Sequence, residues 1–206
     1  MIIVHNLENS RSQRILWMLE ELGLPYEVER YERNKATMLA PPELKAVHPL
    51  GKSPVIDDDG TIVAETGAIV EYLVEKGGRL GAPADRDGAL RYRFWLHYAE
   101  GSLMPPLLVK LVLARVPIFG KMAMKRIQPM IDVHLDYIES ELAKRPWFAG
   151  DAMTAADIMM SFPLEAARSR AGLDDTRPAT IAWLAKVHSL PAYQRALAAG
   201  GPYAYA

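Results

Sequence analysis

The chain changes character near residue 80, and that change limits the folds open to it. Before it, short β-branched runs alternate with helical stretches; after it, only helical periodicity is found. The segment Gly77-Gly78-Arg79-Leu80-Gly81-Ala82-Pro83 separates the two regimes and reads as a domain boundary. Two domains are expected, residues 1–80 and residues 84–206, and 206 residues suffice for a sizeable core. Acidic residues outnumber basic ones before the boundary, and the reverse holds after it.

The first part spells out an order of elements. Residues 2–5 form a short β-branched run. Residues 11–22 carry Ile15, Leu19 and Leu22 at helical spacing and are stopped by Gly23-Leu24-Pro25. Residues 26–31 alternate in the manner of a strand. The polar, proline-interrupted stretch 32–49 has room for one short irregular helix. Residues 54–56 and 61–63 flank Asp57-Asp58-Asp59-Gly60, a hairpin signature, and 65–76 is a helix ended by two glycines. The order is β-α-β-α-β-β-α. A β-α-β unit gives a right-handed crossover and a parallel pair, and the hairpin adds two antiparallel strands. The fold expected is a mixed four-stranded sheet with helices on its faces. This is the thioredoxin-like arrangement, although the pattern leaves other small α/β folds open. The second part is expected to be all-α, with helices at roughly 85–115, 120–144, 154–171, 178–188 and 191–199.

Composition removes whole classes of function. Lys and Arg total 24 against 25 Asp and Glu, so there is no concentrated basic face for nucleic acid or an anionic membrane. There is no cysteine, hence no disulfide, thiolate zinc site, cysteine nucleophile or Cys-x-x-Cys pair. Any thiol chemistry must use a thiol that arrives with a ligand. The stretch 103–113 is the longest mainly apolar one, but it contains Pro105, Pro106 and Lys110 and is too short to span a bilayer. No secretory leader is visible, and a cytoplasmic location is expected. The histidines are scattered, and the lone His97–Glu100 pair at i, i+3 gives no reason to expect a metal.

Three local motifs carry chemistry. Asn9-Ser10-Arg11-Ser12-Gln13-Arg14 lies between the first strand and the first helix, where unpaired N–H groups and the helix dipole favour an anion such as a thiolate. Ser10 with Gln13 also fits a capping box, and Ser12 could cap equally well; both readings hold together if Ser12 caps and Ser10 is left free. The second motif is His48-Pro49-Leu50-Gly51-Lys52-Ser53-Pro54-Val55. A proline entering an interior strand cannot donate to the ladder, which a cis Ser53–Pro54 bond would explain by turning the Ser53 backbone outward as an edge for a peptide-like ligand. A plain loop-to-strand turn with a solvated Lys52 is the alternative. The third is Ala64-Glu65-Thr66-Gly67, where Thr66 could hold a carboxylate at a helix N-terminus and Glu65 an ammonium, or where an ordinary N-cap stands.

Together the three motifs resemble the glutathione-binding site of the glutathione S-transferase family. The resemblance extends to Gly150-Asp151-Ala152-Met153-Thr154-Ala155-Ala156-Asp157, which is similar to the capping box and hydrophobic staple of that family's helical domain. It implies that Ser10 activates the thiol and that Ser53 and Pro54 pair with the cysteinyl part of glutathione. It further implies that Glu65 and Thr66 hold the γ-glutamyl end and that Lys52 faces the glycine carboxylate, with Ser12 also among the glutathione-binding residues and, like the backbone amides, an alternative to Ser10 as thiol activator. Thr154 and Asp157 would be structural. Position 53 departs from the family's more usual apolar residue. No tyrosine stands near the first helix, so the local pattern looks closest to serine-type fungal and bacterial members.

The resemblance implies glutathione transfer to small hydrophobic electrophiles, with glutathione as co-substrate and no cofactor, and with peroxidase activity as an extension. Glutathione-assisted isomerisation or dehalogenation, and a non-catalytic binding or assembly module, are the alternatives. The electrophile pocket is expected between the domains, from Tyr98, Leu103, Met104, Leu107, Leu108 and Leu111, with Ile118 and Phe119 from the next loop. The same apolar stripe also reads as core or dimer interface. A kink is expected at Pro105-Pro106. The family is typically dimeric, so a homodimer is expected, with Glu100 on a solvated helix face or at the interface.

Overall fold

The computed structural model describes residues 1–117 and 119–205. They form two compact units, Met1–Gly81 with His188–Ala204, and Ala82–Val187 with Tyr205.

The first unit is built on a sheet of order β2-β1-β3-β4. Its elements are β1 (Ile2–Leu7), α1 (Ser12–Leu22), β2 (Tyr26–Tyr31), α2 (Leu44–Val47), β3 (Val55–Asp58), β4 (Thr61–Ala64) and α3 (Thr66–Gly77). β1 runs parallel to β2 and antiparallel to β3, and β3 runs antiparallel to β4. This is the mixed sheet that the element order requires. Val4 on β1 lies between Val28 and Ile56, so β-branched residues fill the middle of the sheet. The hairpin turn has Asp59 and Gly60 both at positive φ, 51° and 91°, the pair that a two-residue turn matching strand twist demands. Asp58, buried at the base of this turn, takes bonds of 2.5 Å from Lys76 and from the Tyr72 hydroxyl, which tie the hairpin to α3.

The second unit holds α4 (Arg86–Tyr98), α5 (Met104–Leu113), α6 (Phe119–Leu142), α7 (Ala155–Arg170) and α8 (Pro178–Ser189), whose last two residues group with the first unit. Every residue of α7 from Ala155 to Ala167 is buried. Trp95, Phe148 and Trp183 form the aromatic part of this core, with ring centroids 4.6 and 5.1 Å apart. A reciprocal capping box starts α7. Asp157 accepts from the Thr154 backbone N–H at 2.9 Å and its hydroxyl at 3.1 Å, and also from the Phe148 N–H at 2.9 Å.

Two expectations change. The stretch expected to be one helix kinked at Pro105-Pro106 is instead interrupted upstream, where Ala99–Leu103 forms a single π-helical turn and Met104 N–H bonds to the Ala99 carbonyl. The prolines then fall in the first turn of α5, where their missing N–H groups cost least. The last helix, α9 (Pro191–Gly200), was expected with the helical domain but groups with the sheet-bearing unit. α1 is buried along nearly its whole circumference, from Ser12 to Leu19, and α9 covers part of it with Ala192, Tyr193 and Ala196. A proline-started amphipathic helix reads the same whichever unit it covers, so its sequence does not reveal this destination.

Candidate active site

The sheet register gathers the three motifs. His5, Val55 and Ala64 lie in one row across β1, β3 and β4. Just past that row the chain leaves β1 toward Ser10 and α1, enters β3 from Ser53-Pro54, and leaves β4 into Glu65 and α3. Ser10, Ser12, Ser53, Pro54, Glu65 and Thr66 therefore arise at one end of the sheet. The N-termini of α1 and α3 belong to that same end, and unpaired N–H groups there favour an anion.

The two serines belong to a directed hydrogen-bond chain. Ser12, wholly buried, donates its hydroxyl to Asn6 Oδ1 at 2.5 Å, with the Leu7 carbonyl further off at 3.3 Å. The Asn6 amide cannot turn over, because its Nδ2 donates to the Gly200 carbonyl at 3.0 Å, an oxygen that can only accept. Ser12 has one hydroxyl proton, and Asn6 takes it. In the 2.8 Å contact between the two hydroxyls, Ser10 is therefore the donor. Ser10 Oγ also accepts the Ser12 backbone N–H at 3.2 Å. Neither serine is the N-cap residue: that position is Arg11, whose side chain makes no capping bond, and Ser10 serves the helix only through the Ser12 N–H. The end of β1 draws the Ser12 hydroxyl away from capping.

The Ser53–Pro54 peptide bond is cis. The Ser53 hydroxyl takes over the ladder where Pro54 has no N–H to give: it accepts the Leu7 N–H at 3.2 Å and donates to the His5 carbonyl at 2.7 Å. That accounts for a polar residue at this position. Leu7 thus touches both groups, Ser53 through its N–H and Ser12 through its carbonyl. Lys52 is exposed beside them.

Glu65 has φ 74° and ψ 121°, a backbone conformation that a residue with a side chain adopts only under strain. It occupies the N-cap position of α3 without a side-chain capping bond and is exposed, whereas Thr66, the first helical residue, is buried. Strain at a cap that does not cap points to a job outside the helix.

The serine loop is held from two sides. On one, Arg33 bonds to Glu8 through its backbone N–H at 2.7 Å and its Nε at 3.2 Å. On the other, Asn9, at φ 49°, accepts the Ala204 N–H on Oδ1 at 2.7 Å. Asn6–Ser10 and Gln13 face Gly200–Tyr203 across a crevice of only about 10 Å³. Sequence reasoning singled out neither Asn6 nor the Asn9 side chain; an asparagine at a positive-φ loop position was the one visible signal.

The apolar candidates divide by exposure. Tyr98, Leu103, Met104 and Leu107 are buried, and the Tyr98 hydroxyl bonds to His134 Nδ1. Burial pushes the Tyr98 phenol up to about 12 and lowers the His134 imidazole, so the pair is uncharged at neutral pH. Leu108 and Phe119 are exposed, and Leu111 is half-buried. Ile118 lies outside the described residues. Among the described residues no three His, Asp or Glu side chains converge as metal ligands, and no helix is long and apolar enough to cross a membrane.

Comparisons with known proteins agree with this geometry. Residues 10–76 match the model of the glutathione S-transferase N-terminal domain, and residues 103–191 that of the C-terminal domain. The chain is 41% identical over 183 residues to glutathione S-transferase 3 of Schizosaccharomyces pombe, covering 82% of this chain and 75% of that one. It is 36% identical over 216 residues to glutathione S-transferase 1 of Saccharomyces cerevisiae, covering 93% and 92%. Among solved structures, a glutathione S-transferase from Actinobacillus pleuropneumoniae superimposes with a TM-score of 0.87 at 31% identity, over 100% of this chain and 95% of that one. A sphingomonad glutathione S-transferase complexed with glutathione shares the fold, with a TM-score of 0.79 at 23% identity over 97% and 98%.

Proposed function

The chain belongs to the glutathione S-transferase family and is a glutathione transferase, and on that premise we propose that it activates the glutathione thiol through Ser10. The observation that carries this reading is the state of the Ser10 hydroxyl, a donor at the end of the sheet where the three motifs arise, whose present acceptor is only a neutral hydroxyl. A thiolate is the stronger acceptor and receives that hydrogen bond after a turn about one side-chain torsion.

The magnitudes suffice without a general base. A cysteinyl thiol has a pKa near 8.5, so about 3% is thiolate at pH 7. Lowering it by two units takes about 2.7 kcal/mol. A hydrogen bond to a charged group supplies roughly 1.5–3 kcal/mol, and a helix N-terminus about 0.3–1 more. Glu65 takes the γ-glutamyl ammonium, Thr66 the adjoining carboxylate, the Ser53 backbone the cysteinyl segment and Lys52 the glycine carboxylate. The thiolate sulfur then bonds to an electrophilic carbon, and the leaving group departs with the electron pair. In the second unit, exposed Leu108 and Phe119 and half-buried Leu111 are the apolar surface assigned to the electrophile.

Ultraviolet absorbance of bound glutathione against pH, in wild type and Ser10→Ala, tests the reading. The bound thiol should titrate near pH 6–7 and rise by about one unit or more in the variant. An unchanged value would remove Ser10 from the mechanism. Turnover of an aryl halide, an enone and an organic hydroperoxide in parallel would separate transferase from peroxidase activity.

A homodimer fits the exposed apolar residues of the second unit: Leu90 and Phe94 on α4, with Met130, Val133 and Tyr137 on α6, Phe94 and Tyr137 meeting edge-on at 6.1 Å. Light scattering of Phe94→Arg should show a monomer. A cytoplasmic location, where reduced glutathione is maintained, belongs to the same reading.

A further inference from the structure

We infer that Asn6 and Asn9 are positioning residues for the thiol site, and that the end of the chain, Gly200 to Ala204, is the support against which they hold Ser10. The inference rests on the assignment of thiol activation to Ser10.

The bond pattern carries it. The Asn6 amide lies between the Gly200 carbonyl and the Ser12 hydroxyl, which it fixes as acceptor for Ser10. Remove the amide, and the Ser12 proton is shared between Ser10 Oγ and the Leu7 carbonyl, so neither hydroxyl keeps one direction. Asn9 acts on the backbone instead. Its left-handed conformation sets the turn immediately before Ser10, and its Oδ1 is pinned by the Ala204 N–H. α9 is anchored well enough to serve as a support. The Ala199 carbonyl accepts from Arg30 at 2.6 Å, and Arg195 pairs with Glu20 at 2.6 Å. A Cβ at Gly200 would come within 2.8 Å of Leu16 Cδ1 and 2.9 Å of Gln13 Oε1, so the helix end abuts α1 with no room to shift.

The network fixes the Ser10 oxygen, so only its hydroxyl hydrogen has to turn when the charge arrives, whereas an oxygen that wanders must first be ordered. Asn6 and Asn9 touch neither glutathione nor the electrophile in this scheme. Their contribution appears in thiol ionisation and not in glutathione affinity.

Two variants test this, Asn6→Ala and Asn9→Gly. The second keeps the positive φ available at no steric cost while deleting the acceptor for Ala204, so it stands if the first fails to fold. Each is compared with wild type and Ser10→Ala by the titration of bound glutathione and by the Kd for S-methylglutathione, which has no thiol to ionise. The bound thiol should rise by about half to one unit, a three- to tenfold loss of thiolate below its midpoint. S-methylglutathione affinity should stay within about twofold, and neither variant should add a further rise in a Ser10→Ala background. A wild-type titration in both variants, with Ser10→Ala shifted, would overturn the inference and leave the serine reading standing. A fall in S-methylglutathione affinity that matches the loss of activity would also overturn it, since the segment would then only shape the binding site. No shift in any variant, Ser10→Ala included, would overturn both.

Discussion

Trp17 on α1 and Tyr193 on α9 meet edge to face, ring centroids 5.5 Å apart at 78°, and both are buried. This contact places the last helix of the chain on the first. Tyr193→Ala should destabilise the protein by about 3–5 kcal/mol, the range for deleting a buried aromatic ring. Urea unfolding followed by tryptophan fluorescence should show it. A loss below about 1 kcal/mol would mean that α9 is loosely docked.

Ser53→Ala should lower stability by roughly 1–2 kcal/mol, since the Leu7 N–H and the His5 carbonyl both lose the hydroxyl that joins them to the segment before β3. Hydrogen exchange at the Leu7 amide is the local readout and should quicken, while amides in the middle of β1 keep their protection.

Glu65→Gly should separate stability from binding. Glycine accepts φ 74° without strain, so Tm should rise by a few degrees even after the entropic cost of glycine. Glutathione affinity, read by calorimetry, should fall about tenfold through loss of the carboxylate that meets the ammonium. A variant that binds glutathione as tightly as wild type would remove Glu65 from the site.

Asp157 gives a pH signature. Burial pushes its carboxyl up from 3.8 to about 6, against the pull of hydrogen bonds from Phe148 and Thr154. The folded-state value is the higher one, so the folded protein binds the proton more tightly. The group's contribution is complete below pH 4 and is lost as the pH rises through about 6. Asp157→Asn does not titrate. The stability of wild type relative to this variant should therefore fall by roughly 2–3 kcal/mol between pH 4 and pH 7 in urea unfolding experiments. A difference that grows with pH would show that the hydrogen bonds outweigh burial.

Much of this was legible in the residues because it is encoded locally. The hairpin was announced by Asp59-Gly60, the end of α1 by Gly23, and β2 by strict alternation from Tyr26 to Tyr31. The cis bond was signalled by a proline at the mouth of an interior strand. The Thr154–Asp157 box spans one helical turn and needs no tertiary information. By contrast, the kink assigned to Pro105-Pro106 appeared instead as a π turn ending at Leu103, because a proline marks a missing N–H but not which turn will widen to absorb it.

The sequence by itself determined the elements, the mixed sheet and the end of the sheet at which Ser10, Pro54 and Glu65 emerge. Each of these follows from periodicity, turn chemistry or the handedness of a crossover, all of them short-range. Only the tertiary structure decided that α9 covers α1, that Gly200 orients the Asn6 amide, and that Ser10 is left as the donor. Asn6 and Gly200 are 194 residues apart in the chain. A hydrogen bond has a direction only when its acceptor is in place, and no local pattern records which distant carbonyl that will be.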